Sequence, residues 1–427
     1  MTGVAIFVVF AVLMLAGVPV GVALMLAGSV GIGFADLGWL SIPNNFYAGL
    51  AKYPLLALPM FVLVGSIFDR SGVAQRLVNF ALAIVGRGPG MLPMVAIAVA
   101  MFLGGISGSG PANAAAVGGV MLAAMARAGY PPAYSASVIG AAAATDILIP
   151  PSIAFIVYSV MVPGASVPAL FAAGMVPGVL AGLALIVPAV WLARRHGFGA
   201  NEQVEPRPPL LRALREASWG LFAPVLILGG MRAGWFTPTE AAVVAVAYGL
   251  FVGMVVYRTI RAKELVDILV EAAEVSGVIM IVVALASVFA YAVSTLGIVD
   301  PLARAILDSG MSSWWALAAI VAILLGVGMV LDGISIFLIF VPLLTPLMRG
   351  YAWDPVWFGV LLTYMVAIGQ FTPPLAVNLM VSARLAGVRM EQTVPWVVWF
   401  VFAMLLVLVA IIAVPELALW LPRTLNF

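Results

Sequence analysis

Apolar stretches follow one another along almost the whole chain, at roughly 4–34, 54–68, 91–104, 111–126, 132–164, 167–192, 218–231, 235–257, 271–297, 314–331, 334–349, 355–386 and 395–414. Short polar turns separate them. A helix needs about 20 apolar residues to span a bilayer, and several stretches have that length. The pairs 91–104 with 111–126 and 314–331 with 334–349 fall short of it. At 1.5 Å rise per residue their members reach about 21–27 Å, less than the ~30 Å hydrocarbon core. Each pair therefore predicts a re-entrant hairpin that enters and leaves on one side, where irregular main chain can line a cavity.

The interruptions inside the pairs are alike. GGISGSGPANAAAVGG (Gly104–Gly119) breaks the first and LDGISIF (Leu331–Phe337) breaks the second, so the GIS triplet at Gly105–Ser107 recurs at Gly333–Ser335. A Pro-Pro step follows each at a similar separation: ILIPPS, with Pro150 and Pro151, comes after Ser107, and GQFTPPL, with Pro373 and Pro374, comes after Ser335. Upstream, GSIFDRSGVAQRL (65–77) weakly matches ASVFAYAVSTLGIVDPL (286–302). Paired breaks in two halves point to a solute and ion site at the bilayer midplane.

Charge tests the topology. With both hairpins counted as non-crossing, 14 of the 19 Lys and Arg residues fall on one side, including Arg87 and Arg207. The other side receives Lys52, Arg232, Arg304, Arg349 and Arg423. The positive-inside rule makes the first side cytoplasmic, so the hairpins open from opposite faces. The fold class expected is an all-α polytopic membrane protein of two inverted-topology repeats, each with a hairpin and a Pro-broken helix.

The organisation expected is N-terminal scaffold helices over 1–53, a first repeat over 54–192 with hairpin 91–126, and a connector with scaffold or arm helices over 193–270. A second repeat over 271–414 with hairpin 314–349 and a tail over 415–427 complete it. Residues 201–216, polar and Pro-containing, form the cytoplasmic connector. The amphipathic stretch 261–275 predicts either a surface-lying lever or the end of a longer helix. Segment 4–34 crosses once or, turning at GVPVG, twice. MTGVAIFVVF lacks the basic n-region of a signal peptide and predicts the start of a membrane helix.

Composition narrows the chemistry. The chain is 65% hydrophobic and 8% charged, against about 25% charged in soluble domains. Its net charge of +2 argues against a nucleic-acid partner, and zero cysteines exclude disulfides and thiolate chemistry. The single histidine, His196, lies in ARRHGFG and reads as a solvated loop residue, leaving little for a zinc site or a Ser-His hydrolase.

A sodium ion exchanging its water needs oxygens in a confined space. Gly105, Ser107, Ser109 and Asn113, with the Asp146–Pro150 break, are the first candidate sodium site. Asp332, Gly333 and Ser335, with Gly369, Thr372 and Asn378, are the second. Ser109, Ser152 and Asp332 are expected to face a substrate. Against this stand plainer readings: a small-residue packing seam for the glycine-rich motif, backbone capping for Asp146, a bond within the hairpin tip for Asp332, and simple kinks for the prolines. A carboxylate deep in an apolar run is costly and functional by default, which favours the site reading for Asp332.

GGISGSGPANAAAVGG, AGYPPAYSASVIGAAA, ILIPPSIAFIVYS, FAAGMVPGVL and GQFTPPLAVNL resemble the large membrane subunit of tripartite ATP-independent periplasmic (TRAP) transporters over essentially the whole chain. The resemblance implies that an extracytoplasmic substrate-binding protein hands an organic acid to a small four-helix membrane subunit and this large one. It implies secondary active import with sodium as coupling ion and no other cofactor, by an elevator motion of a transport domain against a scaffold. It also implies a multi-pass location in a bacterial or archaeal cytoplasmic (inner) membrane. Family ion and substrate positions map onto the ISGSGPA, IPPS, LDG and TPP segments, although GPANAAA and Ile334 depart from the pattern and leave the substrate open. The chain has no stretch for a four-helix module or a soluble receptor domain, so both partners are expected in trans. The competing readings are a self-sufficient sodium- or proton-coupled carboxylate symporter, and an intramembrane enzyme, for which Asp146 and Asp332 are poor catalytic material.

Overall fold

The computed structural model describes residues 2–85, 88–200, 208–425 and 427. Arg87, Arg207 and the first part of the connector, 201–207, lie outside the described residues. Those described form twenty α-helices and no strand, as the unbroken apolar patterning requires: in lipid each backbone N–H and C=O must be satisfied within its own segment. Six helices are long and apolar enough to cross a membrane, judged by length and composition.

The chain opens with α1 (Thr2–Leu15), α2 (Val20–Phe34) and α3 (Ser41–Leu50). Segment 4–34 is thus two helices packed on each other, parted where Gly17 takes φ 80° ahead of Pro19. Next come α4 (Ala57–Arg70), α5 (Val73–Ile84), α6 (Met91–Ser107), α7 (Gly110–Arg127), α8 (Pro132–Ala143), α9 (Ile153–Met161) and α10 (Val167–His196). Two linking helices follow, α11 (Leu210–Arg232) and α12 (Pro238–Leu250).

The same order of elements then recurs. It runs α13 (Glu264–Thr295), α14 (Asp300–Asp308), α15 (Ser313–Gly328), α16 (Gly333–Gly350), α17 (Pro355–Gly369), α18 (Val377–Leu385) and α19 (Val394–Ala413), and α20 (Glu416–Leu425) ends the chain. Two single helices, a helix pair, a broken helix and a closing long helix appear in both halves, although α4 has 14 residues where α13 has 32. Residues 261–275 do not form a separate surface lever: α13 continues from Glu264 for 32 residues, about 48 Å.

Two helices organise the packing. α13 lies against α2, α3, α4 and α16, and α10 lies against α6, α9, α17, α19 and α20. Small residues let them approach: a Cβ on Gly28 would fall 2.8 Å from the Phe289 backbone, and one on Gly182 2.0 Å from the Met101 sulfur. The periphery is the reverse of a soluble protein's, with Val12, Trp39, Leu211, Trp315 and Val409 all outward-facing and exposed. Such a surface suits a hydrocarbon solvent.

Candidate functional site

The first helix pair turns within two residues. α6 ends at Ser107, Gly108 follows in the left-handed region at φ 64°, and extended Ser109 precedes α7. Glycine accepts that backbone without penalty, and Pro111 in the first turn of α7 needs no N–H there. Facing this tip is the break between α8 and α9, around Pro150 and Pro151. A Cβ on Gly104 would lie 2.9 Å from the Asp146 Cα, and one on Gly108 2.7 Å from the Pro151 carbonyl oxygen. The tip is glycine-rich because main chain rests on main chain.

Asp146 is fully buried in this contact. Its Oδ1 accepts from the Ser107 hydroxyl and from Asn113 Nδ2, both at 3.1 Å, and Asn113 Nδ2 also donates to the Ala100 carbonyl at 2.8 Å. Asn113 Oδ1 and Asp146 Oδ2 are buried with no hydrogen-bond partner among the described residues. Two acceptor oxygens, on side chains already bonded to each other and shut away from water, are donor-poor in the way a desolvated cation would satisfy.

In the second pair, Asp332 caps α16. The Ser335 amide donates to its Oδ2 at 3.1 Å and the Ser335 hydroxyl to its Oδ1. The Leu375 amide donates to the Met329 carbonyl at 3.1 Å, which ties the α17–α18 break to this tip. A Cβ on Gly369 would fall 2.6 Å from the Gly328 carbonyl oxygen. The Thr372 hydroxyl bonds back to Ile368 at 2.6 Å. Ala376 holds φ 43° at the start of α18, an uncommon conformation for a residue with a Cβ.

The two halves meet across the middle. A Cβ on Gly110, at the first tip, would fall 2.7 Å from both the Asn378 side-chain amide and Gln370 Oε1. Asn378 Nδ2 donates to Gln370 Oε1 at 3.1 Å, and Asn378 Oδ1 is buried without a partner among the described residues. Both tips and both breaks border one cavity of about 500 Å³, together with Ser66 and Asp69 of α4 and Glu271, Val275 and Ile279 of α13. Arg70 and Glu271 form an ion pair at 2.6 Å that joins α4 to α13. Among the described residues the cavity is lined by three carboxylates, Asp69, Glu271 and Asp332, and by no Lys or Arg.

The expected residues distribute unevenly. Ser107, Asn113 and Asp146 form one bonded cluster, with Gly105 beside the Pro150 carbonyl: a Cβ there would lie 3.6 Å from it. Ser109, Asp332, Gly333 and Gly369 line the cavity. Ser152 does not; it is buried, with its hydroxyl donated to the Ile147 carbonyl at 2.6 Å. Asn378 sits at the first tip rather than with Asp332 and Ser335. Four polar residues of the wall, Ser66, Asp69, Glu271 and Gln370, were not singled out from the sequence. The polar step in GSIFDRSG and the glutamine before TPP were their available signals.

The comparisons with known proteins agree with this architecture. Residues 7–417 match the family model described as "Tripartite ATP-independent periplasmic transporter, DctM component". The chain is 36% identical over 386 residues to the C4-dicarboxylate TRAP transporter large permease protein DctM of Pseudomonas aeruginosa, covering 90% of each. It is 34% identical over 405 residues to the 2,3-diketo-L-gulonate TRAP transporter large permease protein YiaN of Escherichia coli, covering 94% of each. Similarity to the isethionate TRAP transporter permease protein DctMQ of Oleidesulfovibrio alaskensis is 34% over 97% of this chain, which spans 65% of that longer relative. Among solved structures, the YdaH transporter of Alcanivorax borkumensis shares the fold at TM-score 0.60, with 12% identity and 89% of each chain covered. MtrF of Neisseria gonorrhoeae does so at TM-score 0.57 and 11% identity, over 86% of this chain and 82% of its own. The chain belongs to the DctM family of tripartite ATP-independent periplasmic transporter components.

Proposed function

We propose that this chain is the transport subunit of a sodium-coupled importer of a small organic acid in a bacterial or archaeal cytoplasmic membrane. It receives the acid from an extracytoplasmic binding protein and works with a small membrane subunit. The observation that carries this reading is the cavity's charge. Three carboxylates and no basic side chain, among the described residues, line a space where both hairpin tips meet, with Glu271 paired to Arg70 beside it, so the wall offers an organic anion no unpaired cation of its own. Cations bound at the tips supply the missing positive charge, which couples anion uptake to cation uptake. Relatives named for C4-dicarboxylates, 2,3-diketo-L-gulonate and isethionate support an acid as cargo.

The first sodium ion is held by Asn113 Oδ1 and Asp146 Oδ2, the unpaired oxygens at the first tip, with main-chain carbonyls of the Pro150–Pro151 step beside Gly105 and Gly108. Main-chain carbonyls of tip residues 328–331 with that of Gly369 hold a second. Ser109, Gln370 and the α7 N-terminus, whose partial positive charge favours anions, hold the acid's carboxylate. Transport then moves the hairpin-bearing helices α6–α9 and α15–α18 against α13 as an elevator, with the two halves inverted in the membrane.

The test is reconstitution of this chain and the small subunit in liposomes, with uptake of labelled carboxylates followed over time. Uptake is expected only when the binding protein and an inward sodium gradient are both supplied. Rapid uptake without the binding protein overturns receptor dependence. Undiminished uptake after sodium is replaced by choline, at a fixed proton gradient, overturns sodium coupling.

A further inference from the structure

A second cavity, of about 740 Å³, lies at the other end of the same helices. Along α13 the wall of the first cavity stops at Ile279 and that of the second starts at Val283; along α16 the corresponding residues are Ile334 and Leu338. About one helical turn, some 6 Å, separates them on each helix. The two spaces have opposite electrostatic character. Lys52, Arg304 and Arg349 converge on the second, and among the described residues Asp300 is the one carboxylate in its lining. Asp300 approaches the turn at Gly297, where a Cβ would lie 3.0 Å from its Oδ2.

These three cations come from separate parts of the chain. Lys52 follows α3 and bonds the Val160 carbonyl at 2.8 Å, Arg304 is on α14, and Arg349 is in the last turn of α16. Desolvation lowers the Lys52 pKa from that of an ordinary lysine, and an anion held beside it favours the charged form again. Arg304 and Arg349 are exposed and make no ion pair with a described residue. Lys52, Arg304 and Arg349 are also three of only five Lys and Arg residues expected on the extracytoplasmic side. Ser287, Ser294, Thr295 and Thr345 line the same space, the Ser287 and Thr345 hydroxyls donating to the Val283 and Val341 carbonyls at 2.8 and 2.7 Å. Guanidinium forks and hydroxyls around a concave wall match a carboxylate group.

We propose that this cavity is an extracytoplasmic anteroom that binds the organic acid by its carboxylate through Lys52, Arg304 and Arg349, before the acid reaches the hairpin tips. The proposal deepens the transport reading and rests on it for the identity of the cargo. An anteroom that attracts the anion without cations, ahead of a cavity that admits it only with them, concentrates cargo where the hairpin-bearing helices can collect it.

The test uses the absence of cysteine in this chain. A Ser294→Cys variant of the full chain, purified with the small subunit, is converted to a mixed disulfide by an anionic and by a cationic methanethiosulfonate of similar size, with methanesulfinate as the leaving group. Each rate is divided by that reagent's rate with a small free thiol; on that scale the anionic reagent is expected to react about tenfold faster, as charged clefts enrich counter-ions by this order or more, and millimolar succinate is expected to slow it. Adding Arg304→Gln and Arg349→Gln should abolish both the preference and the protection. Equal rates for the two reagents overturn the proposal. So does protection by the binding protein alone and not by succinate, which would make the cations a receptor contact. Because labelling needs no sodium gradient and no uptake, a failed transport assay leaves this result readable.

Discussion

At the scale of single residues, Asp146 carries the sharpest imbalance. One of its oxygens accepts two hydrogen bonds and the other accepts none, and the amide oxygen of its partner Asn113 is equally bare. Ser107 and Asn113 orient the carboxylate, so removing either disturbs position as well as ligand count. Asn113→Ala is expected to cost about 1–3 kcal/mol of stability through the lost buried bonds. It should also raise the sodium concentration for half-maximal uptake about tenfold, the equivalent of ~1.4 kcal/mol of cation binding. Sodium titration of uptake in proteoliposomes measures it. Ser152→Ala is the contrast, because that hydroxyl serves only the Ile147 carbonyl: it should lose about 1 kcal/mol of stability and keep the sodium dependence. Wild-type sodium dependence in the Asn113 variant would remove Asn113 from the ion site.

At the scale of elements, the helix pairs depend on glycine at their tips and tolerate change along their shafts. A Cβ on Gly108 meets the Pro151 carbonyl at 2.7 Å and forces a side chain onto φ 64°, whereas Gly119, further along α7, has nothing within 4 Å. Gly108→Ala is therefore expected to destabilise by about 1–3 kcal/mol and to suppress uptake. Gly119→Ala should be neutral or stabilise by up to ~1 kcal/mol. Thermal unfolding in detergent, paired with uptake, separates the two; equal behaviour would mean that the tip does not rest on the Pro-Pro step. These elements were legible in the sequence because helix length, small residues and Pro-Pro steps are local signals. What the tips touch was not. GIS and IPPS locate two breaks, but the meeting of Gly110 with Asn378 depends on packing between opposite halves of the chain. Ser152 and Asp332 show the other gap: each spends its side chain on nearby atoms, Ile147 and Ser335, and such local bonding competes with any ligand role. The Asp-x-x-Ser spacing at Asp332 was readable as a helix cap.

At the scale of the whole molecule, α13 borders both cavities, acidic toward its N-terminal half and basic toward its C-terminal half. About one helical turn on α13 and on α16 separates the two linings, which is the spacing the proposed alternating access needs between an inner and an outer chamber. The acidic cavity extends to Asp69 and Glu271, beside Arg70, on the face that the positive-inside rule makes cytoplasmic. On the proposed function this is an inward-open state, and the chain's lack of cysteine again makes it testable. Ser66→Cys, in the wall of the acidic cavity, is expected to react with a membrane-impermeant maleimide added on the cytoplasmic side of oriented vesicles and to resist the same reagent added outside. Sodium together with a transported acid should slow that reaction, because both occupy the cavity that the thiol lines. An elevator that cycles would also let outside reagent reach Ser66→Cys slowly once sodium and the acid are present, at a rate no faster than turnover. Fast labelling from both faces without ligand would mean a continuous pore through α13 and α16, and alternating access would have to be abandoned for this chain.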